Sequence, residues 1–218
     1  MANWRGVLSK NTFKNPEYVI KYTSTDGKIV TPYSTTAFGN ATIISNTYED
    51  GVGYLKFDSK VTFINDNAFS GKTTLSTIEI PDSITSIGER AFYNCSGLTN
   101  LILGNSITII GNYAFYNCSK LTSLTIPDSV TSIGTSAFQS CSGLTGELII
   151  PDSVINIGDN AFYNCKKLTS LTIGDSVTSI GGSAFYWCSK LTGELVIPDS
   201  VTSIGSYAFH QCGRLTGI

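Results

Sequence analysis

One phrase recurs along this chain: "TIPDSVTSIGTSAFQSC" at 125–141 returns as "TIGDSVTSIGGSAFYWC" at 172–188 and "VIPDSVTSIGSYAFHQC" at 196–212. No other feature constrains the fold as strongly, because copies of one unit must bury their apolar faces against one another. Aligned on Ala-Phe, the copies centre on Phe69, Phe92, Phe115, Phe138, Phe162, Phe185 and Phe209. The first carries Lys72 where the others carry cysteine, and the last is cut short. Cys95, Cys118, Cys141, Cys165, Cys188 and Cys212 follow one another at gaps of 23, 23, 24, 23 and 24 residues.

Each copy changes period part-way. In "LTSLTIP" (121–127), Leu124 and Ile126 alternate with Ser123 and Thr125, the pattern of a short half-buried strand. Pro127 has no N–H to continue a ladder, and Asp128 or Ser129 supplies turn chemistry. Val130 and Ile133 mark a second short extended segment, and Gly134 is expected to permit a bend. Ala137, Phe138, Cys141 and Leu144 then fall at i, i+1, i+4 and i+7, which predicts a short helical turn. One such unit cannot bury its apolar positions alone, so neighbours must stack on it and join their strands into a continuous parallel sheet. The period lies within the ~20–29 residues of leucine-rich repeats. The expected fold is therefore a leucine-rich repeat solenoid of the β-rich α/β class. It is read as a curved right-handed stack of 23–24-residue coils with a parallel sheet, short second strands, short helical turns and an N-terminal β-hairpin cap.

The Phe and Cys columns form the expected core ladder. Zinc ligands come as close pairs such as CxxC, and this even spacing instead gives each cysteine the same task in a different copy: a small, soft, apolar filler. Free thiols are expected, since a disulfide needs Cα atoms within ~7 Å and helical segments outside a curved stack should sit farther apart. Two copies, "LTGELIIPDS" (144–153) and "LTGELVIPDS" (191–200), are one residue longer than "LTSLTIPDS" (121–129). A bulge at Gly146 and Gly193 would keep Leu148 and Leu195 inward; drift in copy length without consequence is the other reading.

Residues 1–55 do not follow the repeat and read as a capping segment, with the array occupying 56–218. "YVIKYTSTDGKIVTPY" (18–33) predicts a hairpin about Asp26-Gly27, and "ATIISNTYEDGVGYLKF" (41–57) a second about Asp50-Gly51. "TTAFGN" (35–40) resembles a degenerate first copy. At the far end Ile218 aligns with Leu124 in mid-strand, an open edge suited to self-association or to further chain. The opening "MANWRGVLSKNTFKNPEYV" lacks the apolar stretch of a secretory signal. Charged residues are 14% of the chain and the net charge is −2, with no Lys/Arg block, so nucleic acid is not an expected partner. No apolar run approaches the ~18–20 residues of a spanning helix, so membrane insertion is not expected either.

The string "LTxLxIPDSVTSIGxxAFxxCxxL", over roughly residues 55–218, resembles the BspA-type leucine-rich repeat of bacterial and protozoan surface proteins. The "YTSTDGKIVTPY…AFGN" leader is similar to segments preceding such arrays in gut Bacteroides proteins. The resemblance implies a cell-surface or secreted binding and adhesion role, with host proteins or neighbouring microbes as partners, and no catalytic residues or cofactors.

The residues agree on chemistry. His210 is the only histidine and stands where other copies carry Tyr93, Tyr116, Gln139, Tyr163 and Tyr186, a variant surface position. No serine lies in GxSxG, and neither a phosphate loop nor HExxH occurs. Catalysis is not expected. Asp82, Asp128, Asp152, Asp175 and Asp199 form a column that reads as turn capping; calcium between coils is the alternative, and the repeat lacks the GGxGxD ligand pattern.

Two surfaces are candidates for binding a protein or glycan. On the strand face, Thr77 and Glu79, Asn100 and Ile102, Ser123 and Thr125, Glu147 and Ile149, Ser170 and Thr172, and Glu194 and Val196 flank the inward residues and vary between copies. The plain alternative is a solvated face. The second is the aromatic column Tyr93, Tyr116, Tyr163 and Tyr186 with Trp187 beside it, whose alternative role is to cover the turns beneath. The expected function is a non-enzymatic binding scaffold; the competing reading is a structural subunit docking through the C-terminal edge.

Overall fold

The computed structural model describes residues 18–34 and 36–216. The readings placed on 1–17 and on Ile218 lie outside the described residues. Three strands precede the array: β1 (Val19–Ser24), β2 (Ile43–Glu49) and β3 (Val52–Phe57). β2 and β3 form the hairpin expected about Asp50-Gly51, where φ values of 51° and 82° give the two left-handed residues of a tight hairpin turn. The hairpin expected across 18–33 does not form. Val30 donates its N–H to the Tyr22 hydroxyl (3.2 Å), and its carbonyl accepts from Asn46 Nδ2 (3.1 Å), so side chains satisfy groups a return strand would have paired. β1 instead lies antiparallel to β3 on one side and, on the other, to the first of the longer array strands, Leu75–Glu79. In the segment read as a degenerate copy, Phe38 is fully buried and meets Phe69 edge-on at 5.9 Å.

From there the chain alternates two kinds of strand. It runs β4 (Phe63–Ile64), β5 (Leu75–Glu79), β6 (Ser86–Ile87), β7 (Asn100–Ile102), β8 (Ile109–Ile110), β9 (Ser132–Ile133), β10 (Gly146–Ile150) and β11 (Asn156–Ile157). It ends with β12 (Leu168–Ile173), β13 (Ser179–Ile180), β14 (Thr192–Glu194), β15 (Ser203–Ile204) and β16 (Arg214–Thr216). The continuous parallel sheet is the one made by the two-residue strands, seven of them in the order β15-β13-β11-β9-β8-β6-β4. The sheet expected from the longer strands is interrupted. It survives as β5-β7 joined to β1, as β10-β12 and as β14-β16, with no strand at 121–126. The register shifts at Gly146/Glu147, as the bulge reading requires, and Gly146 and Gly193 take φ of 79° and 89° while Leu148 and Leu195 stay buried.

The helical turns are replaced by chains of tight turns, and no α-helix occurs among the described residues. Between Gly134 and Leu144 the amides alternate. Ala137, Gln139 and Cys141 donate three residues back within the coil, while Ser136, Phe138 and Ser140 donate to Asp159, Ala161 and Tyr163 of the next coil. Ser136 and Ser140 reach this geometry at positive φ, and the same two positions are left-handed in every complete copy, for example Asn160 and Asn164. Gly134 is not the bend expected of it, having no positive φ. A Cβ there would lie 2.7 Å from Asn112 N and from the Gly111 carbonyl carbon, so the glycine allows neighbouring backbones to touch.

Behind the turns run the two core columns. The phenylalanine rings from Phe69 to Phe209 stack at centroid distances of 4.9 to 5.4 Å, nearly parallel; all are fully buried except Phe209, which is half-buried. All six cysteines are free and buried, but not for the reason the spacing suggested. Adjacent cysteine turns are hydrogen-bonded neighbours, as Phe115 N to Ala137 O at 2.7 Å shows. In-register copies point their Cβ atoms the same way, so the sulfurs lie beside one another without the convergent geometry a bridge needs. The thiols do more than fill space. Cys118 donates to Phe92 O at 3.3 Å and Cys141 to Phe115 O at 3.2 Å, and the other four repeat the contact.

Candidate functional site

On the strand face, alternation places one row of outward residues at Glu79, Ile102, Thr125, Ile149, Thr172 and Val196, all exposed. Glu79 pairs in register with Ile102, and Ile149 with Thr172. Ile102, Ile149 and Val196 show 51%, 55% and 69% of their surface to solvent. In the second row Asn100, Ser123, Glu147 and Glu194 are exposed, whereas Thr77 and Ser170 are half-buried. Thr77 is shielded by β1, where the Thr23 and Thr77 hydroxyls meet at 2.9 Å. Lys21 approaches Glu79 at 3.6 Å on the same seam. Thr172 Oγ1 donates to Glu147 Oε1 at 2.9 Å.

The strand face is indented from β1 across to the unpaired segment at 121–127. A cleft of about 390 Å³ lies between Asn100, Ile102, Ser123, Thr125 and Pro127. A smaller one of about 200 Å³ is lined by Thr23, Val52, Thr77, Glu79, Asn100 and Ile102. A third, of about 350 Å³, opens beside Lys21, Glu79, Pro81 and Ile102. The structure thus gathers Thr77, Glu79, Asn100, Ile102, Ser123 and Thr125 around adjoining hollows, and leaves the later pairs on an open surface. Copy length does not explain the break: the copies at 98–106 and 121–129 are equally long, whereas β10, from a longer copy, pairs with β12 from a shorter one.

The aromatic column comes in two pieces. Tyr93 stacks on Tyr116 at 4.8 Å and Tyr163 on Tyr186 at 5.2 Å, with Gln139 between the pairs. All four tyrosines are half-buried over the turns. His210 continues the second piece, 5.2 Å from Tyr186, and Trp187 stands beside it at 44% exposure. One ladder went unread in the sequence: Asn117 Nδ2 donates to Asn94 Oδ1 at 3.0 Å and Asn164 Nδ2 to Ser140 Oγ at 3.3 Å. Its signal was the Asn or Ser that precedes most of the cysteines.

Burial pushes the Cys95 thiol up to about 12 and Cys212 to about 11, and raises Cys118, Cys165 and Cys188 as well, which disfavours the nucleophilic thiolate. The aspartate column caps from coil to coil: Asp82 Oδ1 accepts the Asn105 N–H at 2.7 Å and Asp152 Oδ1 the Asp175 N–H at 2.9 Å. Among the described residues no three His, Cys, Asp or Glu side chains converge to hold a metal ion, and no helix is long and apolar enough to cross a membrane.

Stacked strand-and-turn coils, a self-paired interior and a variable outward face define a repeat solenoid. The chain belongs to the BspA-type leucine-rich repeat family, whose model matches residues 45–146 and 145–218 in six copies. It is similar to a leucine-rich repeat protein of T. pallidum, with 31% identity and a TM-score of 0.68 over 73% of each chain. It is also similar to a leucine rich cell surface protein of Faecalibacterium prausnitzii A2-165, at 35% identity and a TM-score of 0.66. That likeness covers 80% of this chain and 45% of the other, so the chain spans under half of that protein. A leucine-rich repeat protein of Eubacterium ventriosum, 22% identical with a TM-score of 0.51 over 69% of this chain and 46% of that one, shares the fold. No curated protein matches the sequence.

Proposed function

We propose that the chain is a non-enzymatic binding scaffold of the cell surface that holds a protein or glycan on its strand face, centred on the hollows from Thr77 to Thr125. The observation that carries this reading is the coincidence of variability, exposure and shape. Six of the twelve variable strand-face residues, Thr77, Glu79, Asn100, Ile102, Ser123 and Thr125, line adjoining clefts. Solenoids present extended sheet surfaces to partners, and interrupted backbone pairing adds polar groups that a partner can use. The F. prausnitzii neighbour, described as a cell surface protein, supports the location.

Host-protein and glycan arrays probed with the chain should return a partner that a Ser123→Arg/Thr125→Arg variant loses and a Tyr116→Ala/Tyr163→Ala variant keeps. The reverse pattern moves the site to the aromatic column, and blank arrays overturn the scaffold reading. Protease shaving of intact native cells should remove the protein; its persistence would place it elsewhere.

A further inference from the structure

Trp187 breaks the repeat in three ways at once. It occupies a left-handed position, φ 61°, that Asn94, Asn117 and Asn164 fill in other coils, and asparagine tolerates that conformation far better than a bulky residue does. It also ends the side-chain ladder. The next residue in the column should donate to Asn164 Oδ1, as Asn117 does to Asn94, but Asn164 Oδ1 is buried with no hydrogen-bond partner. Nor does the indole repay these costs in the core, since it is nearly half exposed. A residue that breaks local rules without burial in the core to offset them is a candidate for function.

Its surroundings indicate what it would hold. Tyr186 and Tyr163 flank the indole at 5.6 and 6.2 Å, and Lys166 Nζ sits 5.6 Å over its ring. The turns 159–168 and 182–191 carry Lys166, Lys167 and Lys190, all exposed, against the single acid Asp159. The Asp159 Oδ1 atom is engaged by the Gly182 N–H at 2.6 Å. In a chain of net charge −2 this is a local reversal of sign.

We infer that Trp187 and Lys166 form a subsite for an acidic sugar residue. The pyranose ring stacks on the indole, and its carboxylate or sulfate takes the Lys166 ammonium. A charge-assisted bond is stronger than an exposed cation–π contact, so the anion draws the ammonium off the ring and frees that face for the sugar. A sugar fits better than a protein because a stable protein interface covers roughly 800 Å² per partner, whereas one half-exposed indole between half-buried tyrosines is a platform for one or two rings. The assignment rests on the scaffold reading but not on what the strand face binds.

The test is calorimetric titration of the full chain with a galacturonan hexasaccharide, a sulfated heparin hexasaccharide, a neutral galactan hexasaccharide and an acidic decapeptide. One or both acidic sugars should bind, at least tenfold more tightly than the galactan and the peptide, and more weakly as salt is raised. Which of them binds distinguishes carboxylate from sulfate recognition. Trp187→Asn should lose this binding while its Tm stays level or rises, because asparagine suits the backbone and restores a donor for Asn164. Lys166→Gln should weaken the acidic sugar severalfold and leave the weak galactan signal unchanged. Absence of binding to both acidic sugars, equal binding by the peptide, or undiminished binding by Trp187→Asn overturns the assignment. If the arrays return a strand-face partner while both acidic sugars fail, only this subsite falls; if the arrays are blank as well, the scaffold reading falls with it.

Discussion

Two ladders run along the same coils and obey different rules. The two-residue strands pair without interruption from β4 to β15, and beside them like meets like: Gly134 on Gly111, Phe138 on Phe115, and Thr131 Oγ1 on the Thr108 carbonyl. The longer strands break into separate pieces, carry the inserted glycines, and expose Ile102, Ile149 and Val196. Where each residue is the neighbour of its own kind, a change in one copy is felt in two others, so the copies must stay alike. On the strand face the outward side chains have solvent as a neighbour, and the copies are free to differ. The outward row of the short strands has some of the same freedom, since Phe63 and Ile109 are exposed there where other copies carry serine or asparagine.

The largest test of this contrast removes a ring from the interior column. Phe138→Ala should cost about 3–5 kcal/mol, because Phe115 and Phe162 both lose a stacked partner at 5.2 and 5.3 Å and the surrounding coils cannot collapse into the gap. Chemical denaturation gives the number. A loss below about 1 kcal/mol would mean that the coils behave independently and the ladder is decorative.

High pH probes the thiol column next. Cys95 is held at about 12 against an ordinary thiol value of 9.0, chiefly by burial. Below 9.0 both states keep the proton and stability is flat. Between 9.0 and about 12 the unfolded chain binds fewer protons than the folded one, so stability falls as pH rises. Denaturant midpoints across that window should drop, and less steeply in Cys95→Ala than in the parent chain. Parallel curves would remove the thiol from the explanation.

A matched pair of alanines separates the ladders themselves. Gly134→Ala forces a Cβ to within 2.7 Å of backbone atoms in the preceding coil and should cost about 1–3 kcal/mol. Gly146→Ala meets nothing within 4 Å and should cost only ~1 kcal/mol, from its positive φ. Equal losses would show the strand-face ladder to be as tightly coupled as the other.

Much of this was legible because a repeat reports its facing many times over. The inward Phe and Cys, the inward Leu148 and Leu195 after the bulge, and the exposed strand-face rows all follow from spacing. The turns were misread as helix because Ala137, Phe138 and Cys141 fit either a helical face or a run of tight turns. The discriminating residues were Asn94, Asn117 and Asn164, which suit a left-handed backbone and weaken a helix interior. The shielding of Thr77 was not legible, since its partner Thr23 stands 54 residues away in a segment with no repeat to align. The cleft between Asn100 and Ser123 depends on two strands failing to pair, a consequence of neighbouring copies and not of any one copy.

The smallest expected effect is the most informative about the turn rim. Gln139 sits at the break between the two tyrosine stacks, and only its backbone carbonyl is engaged by the neighbouring coil, accepting from Asn117 N at 2.7 Å. Gln139→Ala keeps that bond and should change stability by no more than about 0.5 kcal/mol. Gln139→Tyr adds a ring between Tyr116 and Tyr163 and should stabilise the fold by about 1 kcal/mol if the column exists to cover the turns, since stacked pairs contribute roughly 0.5–1.5 kcal/mol each. If the tyrosine is instead neutral in stability, covering the turns is not what the column contributes, and the rim joins the strand face as surface where copies vary without cost to the fold.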